Sequence, residues 1–211
     1  MKMNRIETLM MNNPLRAWTQ RRHAAPTFRE LGGRLDGARV LEAGCGNGFG
    51  IEILLDDLGA AEVHAFDLDP DMVDLARART LRRGAAVKVW RGDLAQVPVE
   101  DGTFDAVVLF GVLHHLPDWR SALVEIRRVL RPGGKLFAEE SCRKFIEHPL
   151  FRALLHHPRE DRFSAEDLFG ALDRAGFELL GRRGALGDAI VWCVAARVDG
   201  RKTSEDLRTS P

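Results

Sequence analysis

The feature that most constrains the fold is a glycine-rich segment at residues 44–50, Gly-Cys-Gly-Asn-Gly-Phe-Gly. A short apolar run precedes it, and a helical pattern of apolar residues follows it. This order predicts a strand, a tight turn and the start of a helix. Glycines let the backbone approach a ligand closely, and the first turn of a helix offers unpaired N–H groups. The segment therefore indicates a nucleotide-sized binding site, although glycine-rich turns also serve as plain connections.

The residues around the glycines indicate the kind of ligand. A dinucleotide fingerprint needs Gly-x-Gly-x-x-Gly, but Phe49 stands at its third glycine. Glu42, just before the first glycine, would repel a pyrophosphate and would suit a ligand with an ammonium group. S-adenosylmethionine has an ammonium, a carboxylate and a sulfonium, and no phosphate. The alternative interpretation of Glu42 is a solvated residue at the end of a strand.

Two more acidic residues follow predicted strands. Asp67 comes 23 residues after Gly44 (67 − 44), close to the spacing of about 20 at which an acid meets ribose hydroxyls. Asp93 follows a third predicted strand, 86–91, where its carboxylate can accept a hydrogen bond from an adenine amino group. Asp69 precedes Pro70 and is interpreted instead as a helix N-cap.

These residues belong to four blocks that resemble the class I S-adenosylmethionine-dependent methyltransferases. The most similar subgroup is that of the ubiquinone and menaquinone biosynthesis methyltransferases and their small-molecule relatives, the methyltransferase type 11 group. The blocks are Leu-Glu-Ala-Gly-Cys-Gly-Asn-Gly at 41–48, Phe-Asp-Leu-Asp at 66–69, Gly-Asp at 92–93, and a longer region from 101 to 136 that contains a His-His pair. The resemblance covers about residues 36–198 and is not specific for the methyl acceptor.

The resemblance implies a set of cofactor-binding residues. Glu42, Gly44 and Gly46 would surround the methionine end, Asp67 the ribose, Asp93 and Leu94 the adenine, and Phe110 and Gly111 would lie beneath the sulfonium; Cys45 and Leu68 are included in the same set. It also implies the fold, a doubly wound, Rossmann-like α/β domain. In that fold a mostly parallel sheet of seven strands has helices on both faces and an antiparallel last strand.

The pattern of elements agrees with this fold class. Apolar residues recur at helical spacing over 51–58, Asp118 caps a predicted helix that extends to Leu130, and Ser164 caps another. Strands and helices alternate, which is typical of a doubly wound sheet. We expect an N-terminal helical segment at 1–35, the methyltransferase domain at 36–198 with a lid or substrate wall at 141–163, and a disordered tail at 199–211.

His114 and His115 are the candidate catalytic residues, because they follow the fourth strand at the reactive end of the cofactor. Methyl transfer from a sulfonium can proceed by positioning alone, so a base is needed only for an acceptor that is protonated at neutral pH. The pair can equally line the pocket or start a helix. His156, His157 and Glu140 are weaker candidates, and Glu139 and Glu140 cannot both face the pocket if strand alternation persists.

Composition limits the kinds of partner and metal that the sequence predicts. The 211 residues include 31 basic and 31 acidic side chains, so bulk charge attracts neither nucleic acid nor an anionic membrane. The cysteines Cys45, Cys142 and Cys193 lack metal-ligand spacing, and no metal is expected. Without a membrane span or a signal-peptide core in the sequence, we expect a cytoplasmic location.

The sequence leaves the acceptor and the oligomeric state open. The preferred function is methylation of an O, N, S or C nucleophile of a small molecule. Three alternatives remain: methylation of a quinone or lipid head group at a membrane surface, a NAD-dependent oxidoreductase, and a cofactor-binding protein without catalysis.

Overall fold

A computed structural model describes residues 13–147 and 162–198, which form one seven-stranded sheet. The strands are β1 (Arg39–Ala43), β2 (Glu62–Asp67), β3 (Val87–Arg91), β4 (Phe104–Phe110), β5 (Leu130–Ser141), β6 (Phe177–Ala185) and β7 (Ile190–Arg197). Their order across the sheet is β3-β2-β1-β4-β5-β7-β6. The first five strands are parallel, whereas β7 lies antiparallel between β5 and β6. This confirms the predicted fold class, including the antiparallel last strand.

The helices alternate with the strands as the sequence predicts. They are α1 (Pro14–Thr19), α2 (Ala25–Gly32), α3 (Phe49–Glu52), α4 (Pro70–Thr80), α5 (Trp119–Val129), α6 (Arg143–Ile146) and α7 (Ala165–Arg174). The three predicted N-caps are present. The side chains of Asp69, Asp118 and Ser164 accept hydrogen bonds from the backbone N–H groups of Asp71, Ser121 and Asp167, respectively, which satisfies N–H donors that the helix itself leaves unpaired.

Two helices differ in their bounds or regularity from the sequence-based prediction. The regular helix expected over 51–58 is a short α3 that continues as a π-helical turn, Ile53–Asp57. The helix predicted to extend to Leu130 ends at Val129, and Leu130 is the first residue of β5, paired with Phe104. Buried apolar residues suit either element at such a junction, so apolar spacing alone cannot locate it.

Helices cover both faces of the sheet because residues of the central strands alternate between two cores. Leu41 of β1 belongs to the core that includes Trp119 of α5, whereas its neighbour Val40 belongs to the core that includes Phe28 of α2 and Ile51 of α3. Burial on both faces explains why β1 and β4 lack the polar alternation of a half-exposed strand.

The strand order places a crevice at the centre of the sheet. From β1 the chain proceeds outward to β2 and β3, and then returns to β4 on the other side of β1. At such a reversal the connections leave the carboxyl ends of the central strands uncovered, and ligands bind there in open α/β sheets. The predictions for residues 1–12, for most of the proposed lid (148–161) and for the tail (199–211) lie outside the described residues.

Candidate functional site

A cleft opens at the carboxyl ends of β1, β2 and β4. All ten residues predicted to bind a cofactor line it: Glu42, Gly44, Cys45, Gly46, Asp67, Leu68, Asp93, Leu94, Phe110 and Gly111. His115 lines it as well, whereas His114 lies behind the wall of the cleft and bonds to a buried glutamate. The topology thus brings together side chains from four separate loops, because parallel strands end at the same edge of the sheet.

The glycine loop between β1 and α3 forms one wall of the cleft. Gly44, Gly46 and Gly48 all have positive φ angles, 68°, 51° and 84°, which L side chains rarely adopt. A Cβ on Gly44 would also lie 2.8 Å from a methyl group of Val112 in the loop after β4. Glycine is therefore required here both for the turn and for the close approach of the two loops.

Glu42 is a buried carboxyl group at the base of this loop. The residue is 2% exposed, and its Oε2 atom has no hydrogen-bond partner among the described residues. Burial, and to a lesser extent the charge of Asp67, raises the pKa of Glu42 well above 4.5. An unpaired buried carboxyl oxygen is costly, so its presence beside a cleft indicates a ligand that supplies the missing donor.

Asp67, at the end of β2, is tied to two loops. Its Oδ2 accepts a hydrogen bond from the Gly46 N–H and its Oδ1 accepts one from the Asp69 N–H, both at 2.9 Å. Burial raises the pKa of Asp67, although these backbone donors oppose the shift. Each carboxylate oxygen keeps a second lone pair, so the group can accept further hydrogen bonds from a ligand.

Asp93 and Leu94 form the far end of the cleft. Asp93 is exposed, and its Oδ1 accepts a hydrogen bond from the Ala95 N–H at 2.9 Å, which fixes the turn after β3. Leu94 is 3% exposed and belongs to the core. This end of the cleft therefore combines an acidic acceptor with an apolar surface, as a heterocyclic base requires.

The loop after β4 forms the wall opposite the glycine loop. Gly111 has a φ of 76°, and its N–H donates to the Glu139 carbonyl at 2.7 Å. A 3₁₀ turn, Leu113–His115, follows and brings His115 to the cleft. The rings of His114 and His115 lie against each other with centroids 4.2 Å apart.

Two consecutive glutamates, Glu139 and Glu140, lie near the end of β5 and point to opposite faces of the sheet, as strand alternation predicts. Glu140 is fully buried and bonds to the loop that carries the histidines. Glu139 accepts a hydrogen bond from the Trp192 indole N–H at 2.8 Å. Burial raises the pKa of Glu139, which the positive charge of Arg16 partly offsets.

Sequence reasoning missed several residues of the cleft: Arg16, Gln20, Asn47, Phe49, Gly50, Phe66, Met72, Gly92, Val112 and Leu116. Most of them neighbour predicted residues along the chain and could have been included on that ground. Arg16 and Gln20 come from the predicted N-terminal helical segment at 1–35, in which no site residue was predicted. The Arg16 guanidinium donates to the Phe110 carbonyl at 3.1 Å, and burial lowers the pKa of Arg16.

The donor set fits a ligand with an ammonium group, a carboxylate and a nucleoside. Glu42 offers an unpaired carboxyl oxygen, Arg16 offers a partly buried guanidinium, and Asp67 and Asp93 offer acceptors for hydroxyl and amino groups. A pyrophosphate would instead have to lie beside Glu42, whose ionised form would repel it. Within 13–147 and 162–198, no group of three His, Cys, Asp or Glu side chains is arranged to hold a metal ion.

Comparison with known families and proteins agrees with this geometry. A family model described as a methyltransferase domain matches residues 41–138. A probable S-adenosylmethionine-dependent methyltransferase of Mycolicibacterium smegmatis is 37% identical over 161 residues, which are 75% of this chain and 59% of that protein. The demethylmenaquinone methyltransferase of Lactiplantibacillus plantarum is 34% identical over 145 residues, 67% of this chain and 60% of that protein. The match thus spans about three fifths of each relative.

Solved structures share the same fold. A crystal structure of an S-adenosylmethionine-dependent methyltransferase from Aquifex aeolicus has a TM-score of 0.73 to this chain and is 23% identical to it. The alignment covers 93% of this chain and all of that one. In the described part of the chain, none of the helices has the length and apolar character needed to cross a membrane.

Proposed function

The chain belongs to the class I S-adenosylmethionine-dependent methyltransferases, and from that premise we propose that it methylates an O, N, S or C nucleophile of a small molecule. The observation that carries this proposal is the buried, unpaired carboxyl oxygen of Glu42 beside the glycine loop. A ligand ammonium would satisfy that oxygen and, as an opposite charge, would favour the ionised form of the carboxyl group.

The residues of the cleft have distinct roles in holding this ligand. Glu42 would pair with the ammonium group, and the partly buried guanidinium of Arg16 would attract the carboxylate. Asp67 would accept from the ribose hydroxyls while its existing bonds hold the glycine loop in place. Asp93 and Leu94 would receive the adenine, and Phe110 and Gly111 would lie beneath the sulfonium, with Gly44, Cys45, Gly46 and Leu68 completing the wall.

S-adenosylmethionine supplies an electrophilic methyl group on a sulfonium, so the protein's own contribution is chiefly to position the acceptor and exclude water. The loop after β4 performs this task, since Val112, His115 and Leu116 line the cleft next to Gly111. For an acceptor protonated at neutral pH, His114 or His115 would take up the proton, because an imidazole has a pKa near neutrality.

A small acceptor is favoured by the character of this wall. Phe110, Val112 and Leu116 are apolar, and the equal numbers of acidic and basic side chains provide no field that would recruit a polyanion. A quinone or lipid head group would also suit an apolar wall. The demethylmenaquinone methyltransferase of L. plantarum, by its name, acts on such a molecule, and this class belongs in the first acceptor screen.

Isothermal titration calorimetry with S-adenosylmethionine, S-adenosylhomocysteine and NADH tests the proposal. We expect both adenosyl ligands to bind with micromolar affinity, Asp67→Ala to weaken both, and NADH not to bind. Binding of NADH in preference to the adenosyl ligands would overturn the methyltransferase proposal in favour of an oxidoreductase. Binding of the adenosyl ligands without methylation of any acceptor in a broad screen would favour a cofactor-binding protein that lacks catalysis.

A further inference from the structure

The side chain of Glu140 makes three hydrogen bonds to three consecutive residues of the loop after β4. Its Oε1 accepts from the Val112 N–H and the Leu113 N–H, each at 2.9 Å. Its Oε2 lies 2.7 Å from Nδ1 of His114. The Glu140 side chain is fully buried and that of His114 is 6% exposed, so these bonds are shielded from water.

The His114 ring lies beside the cleft wall. A Cβ on Gly111 would lie 3.3 Å from Cε1 of His114, and Gly111 lines the cleft. The ring also lies against that of His115, which itself lines the cleft. Glu140 thus contacts His114, His114 contacts His115, and His115 lines the cleft.

We propose that Glu140 is a positioning residue of the reaction: it holds His114 in the tautomer that carries the proton on Nδ1, and it fixes the 3₁₀ turn that presents His115 to the acceptor. The proposal rests on the methyltransferase function proposed above. An ionised carboxylate accepts but cannot donate, so the ring nitrogen that faces it must carry a proton. In a neutral ring, Nε2 is then the nitrogen that accepts.

Proton uptake by an imidazole helps only those methyl acceptors that still carry a proton. A hydroxyl acceptor keeps its proton at neutral pH. In the transfer its oxygen would form a bond to the methyl carbon as the bond from that carbon to the sulfonium sulfur breaks and leaves a thioether, and the O–H proton would pass to an imidazole nitrogen. An already ionised acceptor, such as a carboxylate, gains nothing from that nitrogen. Glu140 is thus expected to matter most for hydroxyl acceptors.

Glu140→Gln tests the tautomer with little change of shape. The glutamine carbonyl can still accept from Val112 and Leu113, but its NH₂ group would now face Nδ1 of His114 and donate to it. The unprotonated nitrogen would then be Nδ1, and the proton would move to Nε2. Glu139→Gln is the matched control, because Glu139 is the adjacent carboxylate on the other face and bonds to Trp192 instead.

Nitrogen-15 NMR of the imidazole rings in the unliganded protein distinguishes the two tautomers. Burial raises the pKa of Glu140 to about 7, and besides His114 the titratable groups that interact with it are Arg16, Glu139, Cys142 and Cys193. Spectra are therefore recorded about one and a half pH units above that value, where the carboxylate is ionised. His114→Asn identifies the His114 signals among those of the seven histidines.

The expected result is an Nδ1–H tautomer of His114 in the native protein and in Glu139→Gln, and an Nε2–H tautomer in Glu140→Gln. An Nε2–H tautomer in the native protein would overturn the proposal, as would a Glu140→Gln spectrum that matches the native one. If Glu140→Gln does not fold, the native spectrum alone still decides the tautomer. This measurement needs neither cofactor nor acceptor, so its failure is distinguishable from failure of the proposed function.

Kinetics give the second readout once a hydroxyl acceptor is found. We expect Glu140→Gln to lower kcat about 100-fold, the size of a general-base contribution. The Kd for S-adenosylhomocysteine is expected to stay within about twofold of the native value, since Glu140 does not line the cleft. Equal loss of cofactor affinity and of kcat would show that Glu140 only stabilises the fold.

Discussion

The carboxylate of Glu42 occupies the space beside the Cα of Gly50, on the first turn of α3. A Cβ at residue 50 would overlap Oε1 of Glu42 and would also lie 2.8 Å from the ring of Phe110. Neither neighbour can move easily, since both are buried in the sheet. Gly50, at the end of the glycine-rich segment, therefore makes room for the side chain of Glu42, which precedes that segment.

Gly50→Ala is expected to displace Glu42 and so to weaken binding of S-adenosylhomocysteine by about tenfold, the equivalent of one charge-assisted hydrogen bond. Overpacking also costs about 1–3 kcal/mol in the free energy of unfolding. Calorimetry measures the first effect and urea denaturation the second. Gly170→Ala on α7 is the control, because a Cβ there would meet only the end of the Arg174 side chain. Undiminished binding by folded Gly50→Ala would contradict a role for Glu42.

Binding of the cofactor is expected to release a proton from Glu42. Burial and the charge of Asp67 raise the pKa of this carboxyl group well above 4.5 in the unliganded protein. A ligand ammonium favours the ionised form and lowers the pKa, so between the two values the complex holds fewer protons than the free protein. Affinity therefore rises with pH across that interval.

Calorimetry in two buffers of different ionisation enthalpy, compared at each of several pH values above 4.5, measures this release. The observed enthalpy of S-adenosylhomocysteine binding is expected to differ between the buffers in the native protein. Glu42→Gln, which has no proton to release, is expected to remove most of the difference and to weaken binding. Identical enthalpies in the two buffers for the native protein would argue that Glu42 keeps its protonation state.

Arg79 of α4 supports the glycine loop from outside the cleft. Its guanidinium carbon lies 3.7 Å from the centre of the Phe49 ring, and its Nε donates to the Asn47 carbonyl at 2.8 Å. Phe49 and Asn47 both line the cleft. Arg79→Ala is expected to weaken cofactor binding about fivefold, because a cation–π contact and one hydrogen bond together contribute on the order of 1 kcal/mol.

Arg79→Lys is expected to restore little of this affinity, since an ammonium group lacks the planar surface that covers the ring. The exposed Arg82, three residues further along the chain, supplies the control variant Arg82→Ala. Titration of all three variants with S-adenosylhomocysteine gives the comparison. Full affinity in Arg79→Ala would mean that the loop keeps its conformation without this support.

Ser164 and Asp167 form a reciprocal capping box at the start of α7. The Asp167 N–H donates to the serine hydroxyl at 3.1 Å, and the Asp167 carboxylate accepts from the Ser164 N–H at 2.9 Å. Ser164→Ala is expected to lower the free energy of unfolding by about 1 kcal/mol in urea denaturation. Ser164→Asp, which keeps an acceptor at the cap, is expected to lose less. Equal stability of Ser164→Ala and the native protein would show that the cap contributes nothing.

Local chemistry made part of this protein predictable from its sequence. The glycine loop, the three N-caps and the order of strands and helices depend on neighbouring residues, whose spacing is visible in the chain. The cofactor-binding candidates could be identified for a related reason. Each follows a strand, and the carboxyl ends of parallel strands meet at one edge.

Other features of the protein depend on contacts between distant parts of the chain, which only folding brings together. Arg16 reaches the carbonyl of Phe110, 94 residues later, and Glu140 bonds to His114, 26 residues before it. A carboxylate in a strand and a histidine in a loop carry no sequence signal of being paired, because their separation depends on how β4 and β5 pack. The sequence alone thus determined the fold class, the family and a list of candidate residues. Packing of the sheet and its helices decided which of these residues are buried, which are paired, and which line the cleft.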